Sequence, residues 1–248
     1  MGGLRSSAAV AVSGRGDDRL IVASYNVHRC VGGDGRSDAA RIAAVVREIG
    51  AAIVGVQEIE SGPPAGQLDE LSRLTGLTAV AAPTHGPARR GFGNALLTRL
   101  PIVAARRVDL SIPKREPRGL LDVELDWRGQ PLHVLTTHFG LSGAERRLQV
   151  MLTLGALHLR RAGVTVLLGD FNEWLPGGRP LRALQGRFGR DRSPRTFPAR
   201  RPLFALDRIW VQPRSALAQV HAHRTALARA ASDHLPVVGT VAASPPAT

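Results

Sequence analysis

Apolar residues in the first part of the chain form short runs that end abruptly in polar ones. Leu20 to Val27, rich in Ile and Val, predicts a buried strand that delivers Asn26 and His28 to an edge. Ser37 then reads as a helix cap, Ile42, Val45, Val46 and Ile49 follow at helical spacing, and Gly50 sits where a helix stops. Ala52 to Val56 predicts a second strand finishing at Gln57 and Glu58. Strand, helix, strand is a βαβ opening whose polar ends share one rim.

The pattern then changes. Gly93 to Thr98, Ile102 to Leu110, Leu120 to Trp127 and Pro131 to Thr137 are strand-like runs separated by Pro, Gly or charged turns, which suggests antiparallel pairing. Ser142 to Arg161 is helical by its Leu148, Leu152 and Leu159 spacing, with a Ser142 cap and Glu145 three residues on. Val164 to Leu168 returns to a buried strand. Residues 176–202 are rich in Gly, Pro and Arg and read as a long surface loop with one helical turn near Leu181 to Leu184, either a solvated connector or a substrate-facing flap. Leu206 to Val211 and Pro236 to Val241 supply the closing strands.

With 248 residues and no break in composition, a single domain over 19–242 is expected, after a disordered leader, 1–18, and before a frayed tail, 243–248. Hydrophobic residues at 44% and charged ones at 21% suit a soluble globular protein, and no apolar run is long enough to span a bilayer. Cys30 is the only cysteine, so an intrachain disulfide is ruled out, and the leader lacks the apolar core of a signal peptide. The expectation is a cytoplasmic monomer. The formal charge of +13 comes almost wholly from arginine, Lys114 being the one lysine. Genome base composition and an anionic ligand both account for that bias, the second by steering phosphate-rich molecules to a cleft.

Polar residues gather at strand ends: Asn26, Glu58, His138, Asp170 with Asn172, Asp207, and Asp233 with His234. Any one of them reads as a turn residue, but so many after β-rich runs are hard to explain as turns. Carboxylates with an amide oxygen suit a hard cation such as Mg²⁺, or Mn²⁺, whereas zinc spacing of Cys and His is absent. Hydrolysis of a phosphoester also needs a water to be oriented and deprotonated, for which Asp170 serves. Its spreading negative charge must be neutralised, by Asn172 and histidine, and its leaving oxygen stabilised, by the metal.

The segments Tyr25-Asn26-Val27-His28, Val56-Gln57-Glu58, Gly93-Asn94-Ala95-Leu96-Leu97-Thr98-Arg99, Thr137-His138-Phe139, Gly169-Asp170-Phe171-Asn172, Leu206-Asp207-Arg208-Ile209 and Ser232-Asp233-His234-Leu235-Pro236 resemble, in order, the motifs of the endonuclease/exonuclease/phosphatase (DNase I-like) superfamily. The resemblance implies an α/β fold, a four-layer sandwich of two mixed β-sheets packed face to face and flanked by helices. It also implies that Asn26 and Glu58 hold the metal with Asp233 beside it, and that Asp170 aligns or deprotonates water while Asn172 binds a phosphoryl oxygen. His138 and His234 would flank the phosphate, and Asp207 would orient His234 and favour its charged form. Arg118 is a phosphate-binding side chain or a solvated turn arginine, and Asn94 a substrate contact or a residue that satisfies backbone at a strand start. His85, His158, His221 and His223 match no motif and read as surface or structural. The implied activity is metal-dependent hydrolysis of phosphodiester bonds by in-line attack of an activated water, in nucleic acid, on a phospholipid headgroup or in a small-molecule ester. The alternative is a catalytically silent basic module that binds nucleic acid or anionic membrane.

Overall fold

The computed structural model describes residues 19–62, 66–85, 91–158, 163–175, 177–190 and 193–243, so the leader and residues 244–248 of the tail lie outside it. Eleven strands and five α-helices follow in the order β1 (Arg19–Asn26), α1 (Ala39–Ile49), β2 (Ile53–Ser61), α2 (Gln67–Thr75), β3 (Thr78–His85), β4 (Gly91–Thr98), β5 (Ile102–Asp109), β6 (Gly119–Trp127), β7 (Gln130–His138), α3 (Gly143–His158), β8 (Val164–Asp170), α4 (Arg182–Phe188), β9 (Asp207–Gln212), β10 (Leu217–Ala222), α5 (Ala226–Ala231) and β11 (Val237–Ala242). They form a six-stranded sheet, β10-β11-β1-β2-β4-β3, and a five-stranded sheet, β5-β6-β7-β8-β9. Each sheet is mixed: β1 with β2, and β7 with β8, are the parallel pairs.

Side-chain alternation along the strands builds the layers. On β1, Leu20 and Val22 point between the sheets, while Ala23 and Tyr25 point outward to meet Ile42 and Val46 of α1. On the second sheet, Val166 and Leu168 face inward, and Leu167 packs outward with Val150 and Leu157 of α3 and Leu184 of α4. The three resulting apolar clusters fill the three spaces of a four-layer α/β sandwich. The sheets come close enough at Gly55 that a Cβ there would meet Leu168 and Thr136.

Several elements differ from the sequence reading. The N-cap of α1 is Asp38, whose carboxylate accepts from the Arg41 amide, while the Ser37 hydroxyl donates to the Arg29 carbonyl. Gly50 ends that helix as expected, and Ser142 and Glu145 form the reciprocal cap at α3. The leucines that reveal α3 in the sequence do not face its core. Leu148 and Leu152 are exposed, and Val150, Thr153, Ala156 and Leu157 form the buried side, while Leu159 is outside the described residues. Within 176–202 the helical part extends through Phe188, and Leu181, Leu184 and Phe188 are buried against the second sheet, so that half is neither connector nor flap. The sequence reading misses α2, although Leu68, Leu71 and Leu74 recur at helical spacing before Gly76, whereas the short elements β3, β10 and α5 carry too few apolar positions to stand out by periodicity.

Candidate active site

Strand register alone assembles the centre. In β7 and β8, His138 stands beside Asp170, and in β8 and β9, Asp170 stands beside Asp207. Neighbours in register project to the same face, and these three share the inward face of Leu168 and Ile209 at the rim of the inter-sheet space. Asn26, on the inward face of β1, meets them from the opposite sheet. Its side-chain amide donates to Asp170 Oδ2 at 3.0 Å and to Glu58 Oε1 at 2.9 Å, so one amide ties two carboxylates together. Just below, Gln57 spans the sheets by donating to Thr136 Oγ1 at 3.0 Å.

Glu58 reaches this place through a backbone irregularity. The pairing of β2 with β4 shifts between Val56 and Ile59, where two residues face the single Asn94, and Glu58 has φ 56°. Regular alternation would put Glu58 on the outward face, next after the inward Gln57. The bulge turns it into the cleft at a cost of about 1–3 kcal/mol for a left-handed non-glycine residue. Asn172 is also left-handed, at φ 48°. The bend before it relies on Gly169, at φ 151°, where a Cβ would meet the Thr137 carbonyl.

A cavity of about 390 Å³ opens onto this group, lined by Glu58, Arg118, His138, Asp170, Asn172 and His234 among others. His234 is held from behind: its Nδ1–H donates to Asp207 Oδ2 at 2.8 Å, and the Thr196 hydroxyl donates to the same oxygen at 2.5 Å. That leaves His234 Nε2 facing Asp170 Oδ2 at 3.7 Å, and His138 Nε2 lies at the same 3.7 Å from that oxygen. The two imidazoles differ electrostatically. Burial alone would depress the pKa of His234, but the charge and hydrogen bond of Asp207, aided by Asp170 and Asp233, outweigh it and raise the value to about 10. Burial dominates for His138, Asp170 opposes it, and Arg118 and His234 add repulsion, so its pKa falls to about 3.

Neutral His138 meets donors at both ring nitrogens. Arg118 Nη1 is 3.0 Å from Nδ1, and the Asn172 amide nitrogen is 3.0 Å from Nε2 while donating to the Phe139 carbonyl at 2.9 Å. A neutral ring accepts at only one nitrogen, so one of these donors is available to another acceptor entering the cavity. Arg118 is accordingly a buried cleft residue, pinned also by Glu116 at 2.7 Å, rather than a solvated turn arginine.

Two residues stand apart from the roles expected of them. Asn94 does not line the cavity, because its amide donates to the Gly119 carbonyl at 2.8 Å and thereby ties β4 to the start of β6. Asp233 is likewise off the cavity lining. It is part-exposed, 3.7 Å from His28, and acts on the centre through its field on His234. The orientation of Asn26 matters too: its amide oxygen accepts from the His28 N–H at 3.1 Å, so it faces away from the carboxylates. Sequence reasoning did not single out Thr196 behind Asp207, nor Trp174 and Phe197 on the cavity wall. Of these only Trp174, two residues after Asn172, carried a positional signal.

The donor set fits a hard divalent cation. Glu58 and Asp170 both line the cavity, and their carboxylate oxygens converge on the Asn26 amide nitrogen, which a cation between them would displace. Asp170, Asp207 and His234 also lie close enough to form a compact group of potential ligands. Asp207, however, is fully buried behind His234, and its Oδ2 is engaged by two donors, so that group is better suited to holding a proton than an ion.

The sequence model described as the Endonuclease/Exonuclease/phosphatase family matches residues 23–234. Among curated proteins, the uncharacterised YbhP of Escherichia coli K12 is 37% identical over 158 residues, which are 58% of this chain and 60% of YbhP, so the match spans about three fifths of that relative's length. Among solved structures, an endonuclease/exonuclease/phosphatase from Bacteroides vulgatus superposes with a TM-score of 0.77 at 16% identity, covering 91% of this chain and 99% of the other. The mannosyl-6-phosphatase Bt3783 of Bacteroides thetaiotaomicron gives 0.70 at 20%, covering 89% and 98%.

Proposed function

Because the chain belongs to the endonuclease/exonuclease/phosphatase family, as the match over residues 23–234 shows, we propose that it is a metal-dependent phosphoesterase that drives an activated water in line against a phosphodiester. The observation that carries this reading is the chain of contacts from Thr196 through Asp207 and His234 to Asp170, opposite a neutral His138, with Asp170, His138 and His234 opening on one cavity while Thr196 and Asp207 stay buried behind them. A surface that only bound anions would need none of these buried carboxylates, which repel phosphate.

Asp170, between two imidazoles, orients the attacking water and takes its proton. Charged His234, fixed in tautomer by Asp207, neutralises the phosphoryl oxygens and returns a proton to the leaving group. The Asn172 amide and Arg118 supply further donors to the phosphate, for which Arg118 exchanges its contact with His138. Mg²⁺ or Mn²⁺, held by Glu58 and Asp170 with Asn26 beside them, would supply charge stabilisation at the attacked phosphate. An amide oxygen from Asn26 would require that side chain to turn over.

A substrate panel tests the reading. Bis-p-nitrophenyl phosphate, plasmid DNA, single-stranded RNA and a phospholipid are expected to include at least one substrate cleaved with Mg²⁺ or Mn²⁺ and spared with EDTA. The phosphatase named among the structural relatives adds p-nitrophenyl phosphate as the monoester arm. In Glu58→Gln, turnover falls by about tenfold or more and the Mg²⁺ needed for half-maximal rate rises, since one anionic ligand is lost while the side chain keeps its shape. Absence of hydrolysis in every arm would rule the phosphoesterase out, and an unchanged Mg²⁺ requirement would remove Glu58 from the metal site.

A further inference from the structure

The helix α3 is apolar on both sides, and its core uses only one. Leu148, Met151 and Leu152 occupy the face opposite Val150, Thr153 and Leu157, with exposures of 43%, 67% and 38%. The stripe continues toward the catalytic mouth through Leu141, 66% exposed and itself on the cavity wall. Beside it lies the segment after β8, where Trp174 lines the catalytic cavity and also a second cavity shared with Leu175 and Leu203, at 69% and 60% exposed. The two segments are joined by a buried ion pair, Arg146 to Glu173 at 3.3 Å. Seven of the ten large apolar side chains exposed among the described residues thus fall on α3, the turn before it, and the segments that line the two cavities. Apolar residues so concentrated beside a cleft mark a contact surface.

Exposed charge along this stretch of chain is basic among the described residues. From Gly140 to Arg190 the carboxylates other than Asp170 are Glu145 and Glu173, both buried and bonded internally to Ser142 and Arg146. Arg147 on α3, Arg179, and Arg182 at the start of α4 are exposed, with no carboxylate partner among the described residues. Flexible aliphatic side chains ringed by unpaired arginines suit the boundary between acyl chains and anionic headgroups. They suit nucleic acid poorly, since single strands stack on aromatic faces and, among the described residues, the one exposed Phe, Trp or Tyr ring, Trp174, is packed edge-on against Phe197 and Phe204. Two copies would bring like charges together.

We infer that this side docks on an anionic lipid bilayer, seating Leu148, Met151, Leu152 and Leu175 at the acyl boundary and bringing the catalytic mouth to headgroup level. Resting on the phosphoesterase reading, the consequence is that phosphate esters of membrane lipids are the substrates within reach. Docking itself does not depend on that reading.

Sedimentation with vesicles of equal parts phosphatidylglycerol and phosphatidylcholine, against vesicles of phosphatidylcholine alone, tests it. The wild-type chain sediments with the anionic vesicles and binds the neutral ones roughly tenfold less, and the combined variant Leu148→Gln, Met151→Gln and Leu175→Gln loses about tenfold in binding to the former. The same variant hydrolyses bis-p-nitrophenyl phosphate at the wild-type rate, because none of its changes lines the catalytic cavity. A second variant, Arg147→Glu with Arg182→Glu, loses binding without touching the apolar stripe. Failure of the wild type to sediment, or binding at the wild-type level by both variants, would overturn the inference. So would a dimer in sedimentation velocity that the glutamine changes dissolve, which would assign the face to a second copy. Binding without hydrolysis of any ester would uphold docking and defeat only the catalytic reading.

Discussion

Asp170→Asn is expected to lower turnover by about 10³-fold or more while the fold persists. Asparagine keeps the shape of the side chain and an oxygen to accept the Asn172 backbone N–H, which donates to Asp170 Oδ1 at 2.9 Å. What it loses is charge at Oδ2, the one atom that faces His138, His234 and the Asn26 amide together. In the proposed mechanism water orientation, proton acceptance and a share in holding the metal all draw on the Asp170 carboxylate and its charge, so the effects fall on a single step. Because the change removes a buried charge and not packing, the circular dichroism spectrum should match that of the wild type. Turnover within a few-fold of normal in a folded variant would mean that Asp170 is not the node of the site.

The second large effect concerns the pair behind the reacting group. His234→Ala should reduce turnover by about 10²-fold or more, the scale of a positioned proton donor. Asp207→Asn should cost on the order of 10²- to 10⁴-fold with His234 still present, as happens when a triad carboxylate becomes an amide. The mechanism predicts a titration signature as well. In the metal-free wild type the folded His234 keeps its proton up to about pH 10, against 6.5 for an unperturbed histidine. Its folded pKa is raised, so the stability it contributes is complete below about pH 6.5 and disappears as pH climbs through about 10. NMR titration of the ring nitrogens in Asp207→Asn should find the midpoint shifted to lower pH. An unmoved midpoint would mean that Asp207 does not govern this histidine.

Much of this architecture can be read directly from the chain. The apolar runs Leu20 to Val27 and Val164 to Leu168 mark strands whose polar ends share a rim, and the register of β7, β8 and β9 then places His138, Asp170 and Asp207 in one row. The path of Glu58 is less accessible, since alternation predicts the wrong face and only the bulge against Asn94 reverses it. Asn94 looks like a site residue because it sits in a matching motif, yet its role is to close a backbone gap in a neighbouring strand. Asp233 adjoins His234 in sequence, but consecutive residues point apart, so only one of them enters the cavity. Thr196 comes from a stretch without periodicity, and its hydrogen bond to Asp207 exists only once two distant segments meet. Leu148 and Leu152 reveal a helix correctly and misplace its core, because helical spacing identifies an apolar face without saying what that face meets.

The central claim is that Glu58 and Asp170, from opposite sheets, bind one hard cation while Asp207 and His234 manage the proton. Anomalous diffraction from crystals soaked in Mn²⁺ tests it most directly. The account predicts one strong peak bounded by the Glu58 and Asp170 carboxylates, on the cavity side of Asn26. A peak seated between Asp207 and His234, or full activity in a protein that binds no Mn²⁺ at Glu58, would contradict it.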